Sequence, residues 1–163
     1  MDRKLVWRKV TDLIPYARNS RTHSDEQVAQ IAASIKEFGW TNPILTDGDN
    51  GIIAGHGRLM AARKLGHDEV PTIELTGLTD TQKKAYIIAD NKLALNAGWD
   101  NDALVNELRE LSDFGFDLEL TGFDLQELAT LFDEKTIEEE LEGVKYNEVF
   151  NIIVECSSEQ EQE

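Results

Sequence analysis

The run Gly51-Ile52-Ile53-Ala54-Gly55-His56-Gly57-Arg58-Leu59-Met60-Ala61-Ala62-Arg63-Lys64-Leu65-Gly66 constrains this chain more than any other stretch. It reads as a short apolar strand, a glycine turn, and a helix that stops at Gly66. Gly55 and Gly57 admit positive φ and let a ligand approach the backbone closely. The turn opens into a helix start, where free N–H groups and the dipole favour an anion. Arg58 falls in the first helical turn and can fork onto phosphate oxygens. His56, between the glycines, is either a general base or phosphate ligand, or a spacer that the glycines tolerate. The pattern describes a phosphate cradle, and it is also a common strand–turn–helix connection. It has no Walker A lysine, and it lacks the third glycine and later acid of a dinucleotide fingerprint.

Around that centre, strand and helix patterns alternate. Leu5 to Val10 reads as an opening strand, and Pro15 turns the chain after Ile14. Ser24 is placed to cap a helix, with Gln27 completing a capping box. Val28, Ile31, Ala32, Ile35 and Phe38 form its core stripe, and Gly39 ends it. Pro43 to Thr46 and Ile52 to Ala54 form a hairpin across Asp47 to Gly51. Val70 to Leu75 is a further strand, placed at a sheet edge by Pro71. Thr79 or Asp80 opens a helix towards Leu95 with Ala85, Ile88, Ala89, Leu93 and Leu95 as its apolar face. Asp90-Asn91-Lys92 interrupts that helix on the face opposite Ile88. Asp100 caps the next helix, with Leu104, Leu108 and Leu111 inside. Asp117 to Gly122 is a link, and Asp124 caps a short helix through Leu131. Glu138 to Glu140 is an exposed charge run, followed by a strand pattern from Tyr146 to Cys156 and a helix opening at Ser157. A strand followed by half a helix is the expected end of a fragment of a longer protein.

At 163 residues with 40% apolar content, the chain can build one real core with extra helices. Cys156 is the sole cysteine, so no disulfide framework or cysteine zinc site arises within one chain. No run approaches the roughly 18 apolar residues of a membrane helix, so a cytoplasmic location without membrane contact is expected. The net charge of −16 is unevenly placed. Residues 1–99 carry 13 Lys/Arg against 12 Asp/Glu, and residues 100–163 carry 3 against 20. The first part can face phosphates; the second repels a nucleic-acid backbone. The acidic part reads as a set of solvated helices or as a surface for a basic partner. His23 and His67 read as surface residues, and the tryptophans as packing.

Taken in order, these segments resemble the ParB N-terminal/sulfiredoxin-like superfamily over roughly residues 4–95. Asn19-Ser20-Arg21 is similar to the family's Asn-Pro-Arg, and Ile35 to Ile44 to its S-I-x-x-x-G-x-x-x-P-I segment. Gly55 to Ala62 is similar to its G-E-R-R-x-R-A-A box, and Asp90-Asn91 to a later Glu-Asn pair. Residues 96–133 resemble the version found ahead of phage and prophage DNA methyltransferases. The resemblance implies an α/β (α+β) fold, a small mixed sheet with helices. It divides the chain into a nucleotide-binding domain (1–95), a helical extension (96–135), and an acidic linker leading into a further βα element (136–163).

The resemblance also implies a nucleoside triphosphate, CTP or ATP, with Mg2+. Gly55, His56, Gly57 and Arg58 would hold phosphates, with Gly39, Asn42 and Pro43 shaping the pocket; Arg21 either reaches the pocket from its loop or only pairs with a carboxylate. Asn91, with Asp90, would help position the magnesium ion; the alternative is that the pair caps or bends its helix. His56 stands where the partitioning proteins have glutamate and sulfiredoxin has cysteine, so thiolate chemistry is excluded. Gly57 and Met60 replace two arginines of the partitioning box, and Ala94 another. No centromere-binding helix-turn-helix module is legible. The expected role is a nucleotide-binding module in DNA modification or phage DNA transactions, attached or accessory to a DNA methyltransferase. The partners expected are a DNA-processing protein, weakly held DNA, and a second copy in a homodimer. The chain itself carries no methyltransferase motif. The alternatives are a metal-dependent nuclease or NTPase/phosphotransferase with His56 as a catalytic residue, and a non-catalytic docking scaffold.

Overall fold

The computed structural model describes residues 3–133. The hairpin is β2 (Ile44–Thr46) and β3 (Ile52–Ala54), antiparallel, with Leu45 opposite Ala54. Its turn is held by Asp47, whose carboxylate accepts the N–H groups of Asp49 at 3.0 Å and Gly51 at 2.7 Å. Two further strands, β1 (Leu5–Lys9) and β4 (Glu69–Glu74), complete a mixed sheet in the order β1-β4-β2-β3. β4 pairs antiparallel with β1 and parallel with β2. Pro71 therefore sits in an inner strand, against expectation. It pairs with Trp7 of β1 one residue before Ile44 of β2 joins at Thr72, so the proline occupies a point where β4 has only one neighbour.

The helices are α1 (Asp25–Phe38), α2 (His56–Leu65), α3 (Asp80–Ala94) and α4 (Asn101–Asp113). A 3-10 turn at Leu118–Thr121 follows, and residues 125–133 form a fifth helix, α5. Ser24 caps α1 by accepting Gln27 N–H at 3.2 Å. The Gln27 side chain turns to His23 instead of back to the cap, so only half of the expected box forms. The complete box belongs to α3, between Thr79 and Gln82. At α5, Asp124 and Glu127 make the same reciprocal pair.

One core cluster fills the space between sheet and α2 with Val10, Leu13, Ile44, Ile52, Leu59, Ala62 and Val70. A second joins α1 to α2 through Val28, Ala32, Ile35 and Ala61. Phe38, expected in that stripe, is exposed and stacks on Phe116 with centroids 6.2 Å apart. The face of α3 is inverted relative to its apolar pattern. Ile87 is buried at 5% exposure, whereas Ile88 stands 63% exposed with Leu93 and Leu95 beside it in solvent. In α4 the buried residues are Val105 and Leu108, while Leu104 and Leu111 are half-buried. No described helix is long and apolar enough to cross a membrane. The Glu138–Glu140 run, the Tyr146–Cys156 strand pattern and the 136–163 segment lie outside the described residues.

Candidate functional site

The turn at Gly55, with φ of 100°, delivers the chain from β3 into α2. A Cβ there would lie 3.3 Å from Ile44 Cγ1 and 3.5 Å from Arg58 Cζ, so conformation and space both require glycine. Gly57 differs from the expectation of positive φ. It is the second residue of α2, and its missing Cβ makes room for α1. A methyl group there would come 2.9 Å from Ile31 Cδ1 and 3.0 Å from His23 Cε1.

α2 begins without a side-chain cap, and its first hydrogen bond runs from Leu59 N–H to the Gly55 carbonyl at 3.0 Å. The N–H groups of His56, Gly57 and Arg58 precede that bond. All three residues line a cleft of about 540 Å³ between α1, α2, α3 and the 39–42 loop. The helix dipole thus ends in the cleft with donors at its mouth.

Arg58 folds back over the turn. Its Nη1 donates to the carbonyls of Asn42 at 2.9 Å and Pro43 at 2.8 Å. One nitrogen of the guanidinium therefore ties α2 to the loop behind Gly39, and the side chain stays over the glycine turn. Burial pushes its pKa down while the charge of Asp90 acts in the opposite direction. Arg21 enters from the loop before α1 and donates through Nη1 to Asn91 Oδ1 at 3.4 Å. Asn91 in turn donates through Nδ2 to the Ile87 carbonyl at 2.8 Å. The cleft thus collects Gly39, Asn42, Gly55, His56, Gly57, Arg58, Arg21, Asp90 and Asn91; Pro43 contributes only the carbonyl that holds Arg58.

His56 is neutral by construction. Its Nε2 accepts the Tyr16 N–H at 3.1 Å, so Nδ1 carries the ring proton. Burial, and then the charge of His23, hold its pKa below the ordinary histidine value. Its place at the first position of α2 disfavours the cation as well.

Several residues of the site were missed by pattern. His23 is half-buried, lines the cleft and meets Gln27 Oε1 at 2.9 Å. Its place directly before the Ser24 cap, where the chain enters α1, was the available signal. His67 is also half-buried, accepting Trp40 Nε1–H at 3.2 Å. The segment read as a link supplies Leu120, Thr121 and Gly122 to the cleft wall, and Gln30 Nε2 donates to the Gly122 carbonyl at 3.3 Å. Among the described residues no three His, Cys, Asp or Glu side chains group as a metal set. Asp90 is the one carboxylate among the described residues lining the cleft.

Residues 5–92 match the ParB N-terminal domain family. The chain belongs to that family. Residues 102–149 match a second one, the ParB-methyltransferase HTH domain. No helix-turn-helix module of the centromere-binding kind was legible in the sequence, and the one matched here is of the methyltransferase-associated kind. The module was hard to read because Arg109 is its one cation between residues 102 and 133, so that stretch shows no basic helix of the kind that advertises such modules.

The ParB-like nuclease domain-containing protein YnaK of Escherichia coli is 62% identical over 81 residues, 50% of this chain and 93% of that protein. The nucleoid occlusion protein of Geobacillus thermodenitrificans is 36% identical over 87 residues, 50% of this chain and 31% of that protein. The C-terminally truncated chromosome-partitioning protein ParB of Caulobacter crescentus, complexed with CTP-γ-S, superposes with a TM-score of 0.68. It is 21% identical and covers 86% of this chain and 83% of its own, a likeness of fold.

Proposed function

We propose that this ParB-domain cleft binds a nucleoside triphosphate, CTP or ATP, as its working ligand. The observation that supports this most directly is the uncapped start of α2 opening into a cleft that also holds Arg21 and Arg58. Backbone donors, a helix dipole and two guanidinium groups together suit a polyanion. The space suits a nucleotide, since ligand pockets run from roughly 300 to 1,000 Å³. The fold relative that carries CTP-γ-S makes CTP the first nucleotide to try.

The donor set suits a triphosphate better than a free cation. Asn91 already gives its oxygen to Arg21, which leaves Asp90 to approach any magnesium brought in on the phosphates. On this reading Arg21 exchanges Asn91 for a phosphate oxygen when ligand arrives. The amides of α2 bind the phosphate chain, and Arg58 keeps the 39–43 loop against it.

In the cell the domain would act in DNA modification or phage DNA transactions, as a module of or accessory to a DNA methyltransferase. The match of residues 102–149 to the ParB-methyltransferase HTH domain supports that placement. The E. coli relative's name suggests a second reading, a metal-dependent nuclease. Calorimetric titration with CTP, ATP and GTP in magnesium tests the first reading, and absence of heat with all three removes it. Loss of supercoiled plasmid in magnesium would favour the second.

A further inference from the structure

His56 faces two ways, and its two nitrogens do different work. Tyr16 belongs to the Ile14–Ala17 loop, which walls a separate cavity of about 370 Å³ with Ile52, Ile53 and Ile87. The Tyr16 N–H donates to His56 Nε2, and His56 is also a lining residue of the cleft proposed for the triphosphate. A backbone N–H has no second role to play, so it holds Nε2 as an acceptor and leaves Nδ1–H as the ring's sole donor. Among the described residues His56 makes no other hydrogen bond.

We propose that His56 is a fixed neutral donor: Nδ1–H binds an anionic oxygen of the ligand while Nε2 anchors the Tyr16 loop. This rests on the triphosphate reading and adds a positioning role to it, because ligand and loop would be held by one ring. It also removes His56 as a general base. The lone pair that would take a proton from water is already occupied, and Nδ1 has none to offer. The site is built to hold its ligand, with the Ile14–Ala17 loop fastened whenever the ring is in place.

Two substitutions separate the nitrogens. His56→Gln keeps an acceptor near Nε2 and loses the donor near Nδ1. His56→Asn keeps a donor near Nδ1 and loses the acceptor. Nitrogen-15 NMR of histidine-labelled protein, without ligand, should show His56 as the Nδ1–H tautomer. His56→Gln should keep its melting temperature and bind CTP with magnesium roughly tenfold or more weakly, the loss of one hydrogen bond to a charged group. His56→Asn should melt earlier and lose less affinity. An Nε2–H tautomer overturns the inference, as does wild-type CTP affinity in His56→Gln. Wild-type protein that binds none of CTP, ATP and GTP overturns the triphosphate reading and the ligand half with it. The tautomer spectrum still decides the anchoring half in that case.

Discussion

At the scale of single residues, the site depends on groups that do two things at once. Arg58 spends one nitrogen on the Asn42 and Pro43 carbonyls, so it organises the loop before any ligand binds. Arg58→Ala should weaken triphosphate binding at least tenfold by calorimetry, and Arg58→Lys should recover little, because an ammonium cannot fork. An Arg58→Lys affinity equal to wild type would refute that division of labour. His56 makes a pH prediction. Its folded pKa lies below its ordinary value of 6.5, through burial first and His23 second. The folded state therefore binds that proton more weakly than the unfolded chain. Its contribution to stability is complete above about pH 6.5 and is lost as the pH falls towards the lowered value. Denaturation in urea at about pH 7 and about pH 5.5 should show a smaller loss in His56→Gln than in wild type. The placement of Gly55, Arg58 and the Asp90-Asn91 pair together at the cleft was legible because each belongs to a short motif. His23 and Leu120 to Gly122 were not. They reach the cleft only once α1 has packed on α2, and no spacing in the sequence reports that.

At the scale of elements, the strands and helix caps could be read from turn chemistry alone, since Asp47, Gly55, Thr79 and Asp124 each act within a few residues of themselves. Faces were harder. α3 carries Ile87 and Ile88 side by side, and its periodic apolar residues point to solvent. Ile87 is buried because it packs with Ile53 and Leu75 in a third core cluster, and Asn91, one turn later on the same face, meets Arg21 in the cleft. Ile87→Ala should cost about 2–5 kcal/mol, and Ile88→Ala should stay within about 0.5 kcal/mol. Equal costs in chemical denaturation would return the face to the one its pattern suggested. Gly57 gives a second test at this scale. Gly57→Ala should destabilise by about 1 kcal/mol, since its methyl would meet Ile31 Cδ1 and the His23 ring between α1 and α2 and those side chains must shift. Gly66→Ala faces open space and should cost only the strain of its φ of 70°, about 1–2 kcal/mol. The two can be told apart by adding Ile31→Val, which should relieve the first and leave the second unchanged.

Across the whole molecule, charge divides the labour. The cleft lies where the chain is electrically balanced, and the helical part that follows carries most of the net −16. The acidic part lies against α1, where Gln30 donates to the Gly122 carbonyl and Phe38 stacks on Phe116. On the proposed reading a triphosphate would still enter, because Arg21, Arg58 and the first residues of α2 line the cleft, where local donors outweigh a distant screened field. A duplex has no such shelter. It must approach along the surface, where Asp113, Asp117, Glu119 and Asp124 crowd the 3-10 turn and the start of α5 with no arginine or lysine among residues 110–133. Non-specific affinity comes from cations that release counterions, and this surface has few to offer. Fluorescence anisotropy with a random 20-base-pair duplex should therefore show no binding at about 0.15 M salt up to roughly 100 μM protein, the weak end of non-specific affinities. Lowering the salt should bring little gain, because the repulsion strengthens along with any attraction. Tight binding that weakens steeply with salt would mean that the balanced face around Lys9, Arg63 and Lys64 captures DNA by itself. The acidic helices would then be a brake on that face, and removing their charge should tighten the complex.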